Sequence, residues 1–286
     1  MMTVYCILPV HGGINDNHIF ECLESVSQLA IPKTTIFHLC IAIDGVLTQR
    51  AQEYILSYKN SSKNLCSIYF NPGQMGLSRN LNNVLKNLNF ENDEFIMRID
   101  ADDLVEPLRL KKQLKFLTEN PAFDVVASCA LRIDEEGSKI GLQDADFGVV
   151  QPSRTLVNPI IHSSTMIRSQ FFAKYGLYDE AFKYAQDWEL WARSCRAGAK
   201  FFILPEDLIK FRFMDASIVR RKKTQIYVIK IALRRLRGWV ILVVVFRSIC
   251  IMLIPVYLIK IILQIKHSSK RFMEDKFERI RRLYRI

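Results

Sequence analysis

The sequence has no closely spaced cysteine pair, no internal repeat and no low-complexity tract. Its seven cysteines are scattered and odd in number, which argues against a zinc site and a disulfide framework and favours free core thiols in a reducing compartment. The first ten residues lack the basic segment and long apolar run of a signal peptide, and they resemble a strand. We therefore expect the body of the protein to lie in the cytoplasm.

Acidic residues are scarce in the last quarter of the chain. From Arg220 onward the sequence has 18 Lys and Arg but 3 Asp and Glu, whereas the first 219 residues have 22 basic and 26 acidic side chains. The overall charge of +11 therefore comes from the tail. A mildly acidic body suits a soluble enzyme, and a basic, apolar tail suits an anionic surface.

Short apolar runs alternate with segments of helical periodicity through the first half of the chain. Strands are predicted at residues 3–8, 36–43, 65–70, 95–99 and 125–133. Helices are predicted between them, at residues 19–29, 49–58, 77–88 and 107–117. This alternation predicts an α/β fold with a doubly wound, mostly parallel sheet. After residue 138 the pattern loosens, and the later predictions are a short strand at 162–167, a helix at 187–196 and β-like runs at 199–204 and 208–213.

The stretch FIMRIDADD ends a predicted buried strand with three carboxylates, Asp100, Asp102 and Asp103. Carboxylates this close repel one another unless a cation or a hydrogen-bond network compensates their charge. Mg²⁺ commonly takes one or two carboxylates together with substrate phosphates, and open α/β sheets bind ligands at this end of their strands. The stretch therefore predicts a metal–phosphate site. The alternative is a solvated acidic turn that caps the next helix, with Asp103 as the cap or as a supporting group.

Other polar groups follow neighbouring predicted strands. Pro9 to His11 end the first strand, Asp44 ends the second, and a glycine-containing loop at residues 76–80 carries one cation, Arg79. A guanidinium suits phosphate binding, so together these groups indicate a nucleotide-diphosphate site.

Seven motifs occur in a fixed order over residues 1–215: ILPVHG, AIDG, GLSRNLN, RIDADD, HSSTMIR, YAQDWELWARS and LPEDLIKFRF. In these motifs the chain resembles the family 2 glycosyltransferases, inverting enzymes of the GT-A fold. The resemblance implies a Rossmann-like GT-A domain over residues 1–216, with a nucleotide-binding half at 1–103 and an acceptor half at 104–216. It also implies that Asp187 is the general base and that Asp102 binds Mn²⁺ or Mg²⁺. The residues that would contact the nucleotide-sugar are Pro9, Val10, His11, Asp44, Arg79, Asp100 and Ala101.

Two positions depart from the family pattern, and several residues have a structural alternative. Ile43 replaces a common acidic residue before Asp44, and Gln186 replaces a common Glu before Asp187. Asp187 could instead cap its helix. The candidate residues on the acceptor side are His162, Gln186 and Trp188. His162 could equally be a core histidine, and Trp188 at helical spacing from Trp191 favours a core position.

Residues 217–286 are predicted to form a basic, apolar, helical tail that associates with a membrane. The run from Trp239 to Leu263 is interrupted by Arg247, Pro255 and Lys260, and basic clusters flank it on both sides. This pattern favours a segment lying in the interface over a single span. The last stretch, residues 272–286, has basic and apolar residues that suit anionic headgroups, with a solvated helix or a contact between copies of the chain as alternatives.

These features predict a glycosyltransferase at the cytoplasmic face of the membrane, peripheral or monotopic. It would move a sugar from a nucleotide-diphosphate sugar, with UDP the commonest nucleotide among resembling enzymes, to a glycan or lipid-linked acceptor. A sugar-nucleotide nucleotidyltransferase is the alternative, but HGGINDN lacks the basic residue expected after the first strand. A nucleic-acid-binding protein is disfavoured because the basic groups are confined to an apolar tail.

Overall fold

The computed structural model describes residues 1–71, 73–88, 94–143, 147–213 and 216–254. The strands are β1 Met2–His11, β2 Thr35–Asp44, β3 Leu65–Asn71, β4 Glu94–Arg98, β5 Leu104–Val105, β6 Val125–Ile133, β7 Lys139–Gln143, β8 Gly148–Val150, β9 Met166–Arg168 and β10 Phe201–Arg212. The helices are α1 Asp16–Ser27, α2 Gln49–Ser61, α3 Leu77–Asn87, α4 Arg109–Glu119, α5 Ser169–Tyr175, α6 Gln186–Arg196, α7 Ala216–Arg235 and α8 Val240–Leu253.

The strands form one mixed sheet in the order β3-β2-β1-β4-β9-β6-β10-β5, with β7 beside β6 and β8 beside β10. The first four strands in that order are parallel. β9 runs antiparallel to both β4 and β6 and joins the two halves of the sheet. The second half departs from the predicted mostly parallel sheet: β10 is parallel to β6, but β5, β7, β8 and β9 each run antiparallel to their neighbours. A three-residue strand such as β9 is too short to give a periodic signal, so its direction could not be inferred.

The predictions after residue 138 differ from the structure in two places. The two expected runs at 199–204 and 208–213 form the single strand β10, whose pairing with β6 shifts between Leu204 and Ile209. Pro205 lies at this shift and has no N–H for the ladder, so regular pairing is interrupted there. Of the strand expected at 162–167, the first part is a 3₁₀ turn, His162–Ser164.

The core lies on both faces of the sheet. In β1, Val4, Cys6 and Leu8 face one apolar cluster, which includes residues of α1, α2 and α4. Ile7 faces the other, which includes residues of α3, α5 and α6. All seven cysteines are free, as the spacing predicts, and burial raises the pKa of the Cys6 thiol to about 12.

The beginning of the predicted tail is packed on the body. A third apolar cluster joins Trp188 and Ala192 of α6 to Val228 and Ile231 of α7. Glu189 of α6 is fully buried, and its Oε1 lies 3.0 Å from Nε of Arg193 and 2.9 Å from Nε of Arg235. Helix α6 is thus tied to α7 by both apolar contact and charge. The domain boundary at residue 216 stays a prediction.

In the described part of the chain, none of the helices has the length and apolar character needed to cross a membrane. Helix α8, which contains the first part of the apolar run at 239–263, is 14 residues long. The rest of that run and the basic stretch at 272–286 lie outside the described residues.

Two isoleucines of α7 provide a matched test of this packing. Ile231 is fully buried, whereas Ile226 is 55% exposed. We expect Ile231→Ala to lower the free energy of unfolding by about 2–5 kcal/mol, because it leaves a cavity in the α6–α7 cluster. Ile226→Ala should change it by less than about 0.5 kcal/mol. Urea unfolding and hydrogen exchange of α7 amides measure both, and equal effects of the two variants would contradict the packing.

Candidate active site

The carboxyl ends of three parallel strands are aligned at one edge of the sheet. His11 of β1 is paired with Asp44 of β2, and Asp44 is paired in turn with Asn71 of β3. On the other side of β1, the Ile99 N–H donates to the Ile7 carbonyl, and the chain then turns into Asp100. The structure therefore brings together the strand ends that the sequence assigned to the nucleotide-sugar.

The end of β1 offers mainly its backbone to this edge. Pro9 and Val10 are buried, so any donor contact there would come from the main chain rather than from their side chains. His11 is exposed, and its Nδ1 accepts a hydrogen bond from the Gly13 N–H at 3.0 Å. A side chain at Gly12 would place its Cβ 2.3 Å from the Val46 carbonyl oxygen. Only glycine therefore permits this approach of the loops after β1 and β2.

Asp44 shapes the glycine-containing loop before α3. Its Oδ1 accepts from the Met75 N–H at 2.8 Å, and its Oδ2 accepts from the Gly76 N–H at 2.9 Å. The side chain is buried, so these two bonds fix the loop against the end of β2. Contact of Asp44 with the base or ribose stays a prediction.

The polar residues of GLSRNLN hold the two halves of the molecule together. Asn80 donates to the Ala42 carbonyl at the end of β2. Asn82 donates to the Tyr178 carbonyl at 2.9 Å and accepts from the Tyr178 N–H at 3.0 Å. Ser78 donates to the Phe182 carbonyl. Most of this motif is thus structural.

Arg79, the cation predicted beside the diphosphate, is half exposed at the start of α3. Its Nε lies 3.0 Å from Oε2 of Glu180, in the segment before α6. The guanidinium therefore stands at the rim between the two halves, already paired with a carboxylate. An incoming phosphate would have to share it or displace Glu180.

The acidic turn is compact. The Asp103 N–H donates to the Asp100 carbonyl at 3.1 Å, which closes the turn. Asp100 and Asp102 are partly exposed, while Ala101 is buried and can offer only its backbone. Asp103 is buried, and it accepts from the Ser163 hydroxyl at 2.5 Å and the Arg212 N–H at 2.9 Å. Burial, with a smaller contribution from its two acidic neighbours, raises the pKa of Asp103 well above its usual range.

Three buried arginines support this turn. Arg98 donates to Asp100 Oδ1 at 2.6 Å and to the carbonyls of Ile7 and Ile99. Arg109 donates to the Arg98 carbonyl at 2.7 Å. Arg212 extends from β10 and donates to the Asp102 carbonyl at 2.9 Å. The second carboxylate partner of this network is Glu21, whose Oε2 lies 2.6 Å from Arg212 Nη2.

The donor set of the turn fits a divalent cation that is bound together with a diphosphate. Asp100 and Asp102 offer hard carboxylate oxygens two residues apart. Over the described ranges, no group of three or more His, Cys, Asp or Glu side chains is arranged to hold a metal ion. One or two carboxylates are the usual protein share for Mg²⁺ when phosphates supply further ligands.

Asp187 lies in the first turn of α6, two residues after a strained residue. Ala185 has φ 54° and ψ 26°, the left-handed conformation that costs a non-glycine residue roughly 1–2 kcal/mol. Asp187 is partly buried, and its Oδ2 accepts from Asn158 Nδ2 at 2.7 Å. Burial, with a smaller contribution from the charge of Asp100, raises the pKa of Asp187 to about 6, even though hydrogen bonds from the helix backbone and Asn158 oppose the shift. Such a carboxylate is ionised at neutral pH but basic enough to accept a proton.

The other predicted acceptor residues are buried. Trp188 is 2% exposed and donates its indole N–H to the Pro152 carbonyl at 3.1 Å. His162 is buried, with Nε2 2.8 Å from the Tyr178 hydroxyl, and burial lowers its pKa well below the usual range. Gln186 is also buried. The prediction of Trp188 as an acceptor contact is corrected to a core position, and the core alternative also describes His162.

The structure brings the two halves of the predicted site together around Tyr178. The negative charges of Asp100 and Asp187 both raise the pKa of this buried phenol, beyond the larger effect of burial. Sequence reasoning missed Tyr178, Asn158 and the three arginines, because in a single sequence arginine and asparagine resemble surface or turn residues. Only the conspicuous RID, with an arginine inside an apolar strand, signalled that Arg98 is buried.

Comparison with known proteins finds a relative by sequence that is named a glycosyltransferase and two solved structures with a similar fold. A glycosyltransferase of Methanocaldococcus jannaschii is 28% identical over 71% of this chain and 70% of its own length. Among solved structures, Staphylococcus aureus TarS in complex with UDP-GlcNAc has a TM-score of 0.61 at 17% identity, covering 87% of this chain and 70% of TarS. The mannosyltransferase PcManGT of Pyrobaculum calidifontis, in complex with GDP-Man and Mn²⁺, has a TM-score of 0.61 at 14% identity, covering 86% of this chain and 68% of that enzyme. These structures show the same fold.

The sequence profile described as Glycosyl transferase family 2 matches residues 5–179. The match contains most of β1, the acidic turn and α3, and it ends before Asp187, so the placement of Asp187 comes from the structure. More than half of the chain is matched. The protein is a glycosyltransferase and belongs to glycosyltransferase family 2.

Proposed function

We propose that the protein is an inverting enzyme that transfers a sugar from a nucleotide-diphosphate sugar to a hydroxyl of a glycan or lipid-linked acceptor. The observation that carries this proposal is Asp187, a partly buried carboxylate held by Asn158 with a pKa raised to about 6. Asp187 and the turn come from different halves of the chain, yet Asp100 is near enough for its charge to act on Asp187. This is the arrangement that a donor sugar between a base and a diphosphate site requires.

In the proposed reaction the acceptor oxygen bonds to the anomeric carbon while its proton passes to Asp187. The bond between that carbon and the diphosphate oxygen breaks on the opposite face, and its electron pair leaves with the nucleoside diphosphate. Asn158 holds one oxygen of Asp187 and so orients the carboxylate. A base with a pKa near 6 is mostly ionised at pH 7 and still has a strong affinity for the proton.

The donor would bind at the ends of β1, β2 and β4. Support comes from the register of these ends and from the fold shared with enzymes crystallised with UDP-GlcNAc and with GDP-Man. We propose UDP as the nucleotide, with Asp100 at the ribose or sugar and Asp102 at a Mn²⁺ or Mg²⁺ ion. A bound divalent ion would offset charge on the leaving diphosphate. Arg79 would add positive charge once released from Glu180.

We also propose that the C-terminal region rests on a membrane at the face where a lipid-linked acceptor is exposed. Four side chains of the segment formed by Trp239 and α8 are at least 67% exposed: Trp239, Leu242, Phe246 and Leu253. Their spacing of three, four and seven residues places them along one side of the helix. Exposed apolar side chains beside basic residues favour an interfacial position.

Replacing the proposed base tests the reaction. Asp187→Asn removes the proton acceptor but keeps the shape, so the transfer rate should fall about 10²- to 10⁴-fold. Binding of the nucleotide-sugar should be retained, as measured by calorimetry. Asp179→Asn is the matched control, because Asp179 lies on the preceding loop and its side chain accepts a hydrogen bond from the Ala181 N–H, away from the proposed site. Equal transfer by Asp187→Asn and the wild type would refute the assignment.

The pH dependence tests the environment of the base. With its pKa raised to about 6, Asp187 is protonated at lower pH, so the transfer rate should rise with pH through 6 and then level off. Asn158→Ala removes a hydrogen bond to the ionised form, and the acidic limb should move about one pH unit higher. Asn87→Ala, at the exposed end of α3, should leave it in place. An unshifted limb in Asn158→Ala would show that another group sets the profile.

The metal assignment predicts coupled binding of ion and donor. UDP-sugars should raise the thermal unfolding midpoint of the protein more in Mn²⁺ than in EDTA, because a bound ion would tighten donor binding and tighter binding stabilises the folded state. A ligand at 100 times its Kd stabilises by about 2.7 kcal/mol. Asp102→Asn should remove the Mn²⁺-dependent part of this shift and keep the part seen in EDTA. A full Mn²⁺-dependent shift in Asp102→Asn would exclude Asp102 as a ligand.

A further inference from the structure

A basic cavity of about 310 Å³ lies on the side of the molecule where the body meets the C-terminal helices. The segment after β8, the end of α6 and the loop between α7 and α8 form its walls. Its charged lining residues are Arg154, Arg196, Lys200 and Arg237, and no carboxylate of the described residues lines it. We call this the basic cavity. It contains none of the residues assigned above to the donor, metal or base.

The four cations have no ion-pair partner among the described residues. Within the part of the chain that the structure describes, none of them lies within 4.0 Å of a carboxylate. Arg196 donates to the Arg234 carbonyl, which holds it at the cavity wall. Asp124 stands beside Lys200 but accepts from its backbone N–H rather than from its ammonium group. Like charges gathered in one concave site repel each other, and a bound anion relieves that repulsion.

The end of α6 opposes an anion only weakly. A helix carboxyl end carries partial negative charge from its free carbonyls. Here Gly198, at φ +100°, turns the chain back so that the Ala199 N–H donates to the Ser194 carbonyl and the Gly198 N–H to the Cys195 carbonyl. These bonds satisfy carbonyls of the last turn, so the field in the cavity is dominated by the four cations.

The basic cavity and the exposed apolar side of α8 are close neighbours along the chain. Arg237 lines the cavity, and Trp239, two residues later, begins the row of exposed apolar side chains. A surface that combines an apolar strip with an adjacent cationic recess matches the boundary of a bilayer, where acyl chains meet phosphate groups. Free phosphate would use the recess but would leave the apolar strip in water.

We propose that the basic cavity binds the phosphate of an anionic lipid headgroup while the apolar side of α8 lies among the acyl chains. This inference deepens the membrane contact put forward in the proposed function. Helix α6 runs between the cavity and the base: nine residues separate Asp187 from Arg196, roughly 14 Å of helix. A lipid phosphate held at one end of α6 would set the distance of the reacting centre from the membrane surface.

The test uses the full chain in flotation with vesicles of phosphatidylcholine alone or with phosphatidylglycerol. The double variant Arg154→Gln with Lys200→Gln should lower the partition coefficient on anionic vesicles about 30-fold, at about fivefold per basic residue. The control Lys33→Gln with Lys63→Gln makes the same charge change on exposed loops before β2 and β3 and should lower it less than about twofold. Phe246→Ala should lower binding to both kinds of vesicle.

Equal losses in the two double variants, or no loss in either, would overturn the proposal. A thermal shift by inorganic phosphate that disappears in Arg154→Gln with Lys200→Gln, with vesicle binding unchanged, would assign the cavity to soluble phosphate and also overturn it. Transfer to a soluble acceptor, measured in the same variants, should be unchanged. That activity tests the reaction separately, since vesicle binding can persist in an inactive protein and fail in an active one.

Discussion

The acidic turn at residues 100–103 depends on positive charge buried beneath it. Carboxylates crowded into four residues would favour protonation or disorder without compensation. The guanidinium of Arg98 lies below the turn and bonds both a carboxylate and two backbone carbonyls. Burial lowers the pKa of Arg109 to about 10, which still leaves it charged at neutral pH. A lysine would lose its charge far more readily in such surroundings, so arginine suits these positions.

Short amide side chains fix the distance between the donor half and the acceptor half of the molecule. Asn80 reaches the end of β2 and Asn82 reaches Tyr178, both from the same helix. Because these side chains are short and buried, small movements would break their bonds and leave polar groups unsatisfied. The Tyr178 hydroxyl is in turn hydrogen-bonded to His162, which lies in the same 3₁₀ turn as Ser163. The relation of Asp100 to Asp187 is therefore set by rigid elements rather than by a flexible loop.

The first half of the fold could be predicted because its strands are apolar runs of five or more residues with turn signals between them. The position of the acidic turn at a strand end could be predicted from residue type, whereas the role of Asp187 was implied by the family resemblance and stays a proposal. β9 could not, since three residues carry no period, and neither could the burial of Arg109 and Arg212, which only tertiary contacts show. The sequence left two interpretations of Trp188 open, because an aromatic residue at helical spacing can either pack in the core or stack against a sugar.

The buried pairing of Glu189 with Arg193 and Arg235 has a consequence for how this chain can vary. Helix α6 has Asp187 in its first turn and contacts α7 at its other end, so the C-terminal helices are not an interchangeable attachment. A C-terminal segment taken from a relative would need an apolar side that packs against Trp188 and Ala192. It would also need a basic residue positioned to form an ion pair with Glu189. Recombination between relatives at residue 216 would therefore succeed only between chains that share this interface.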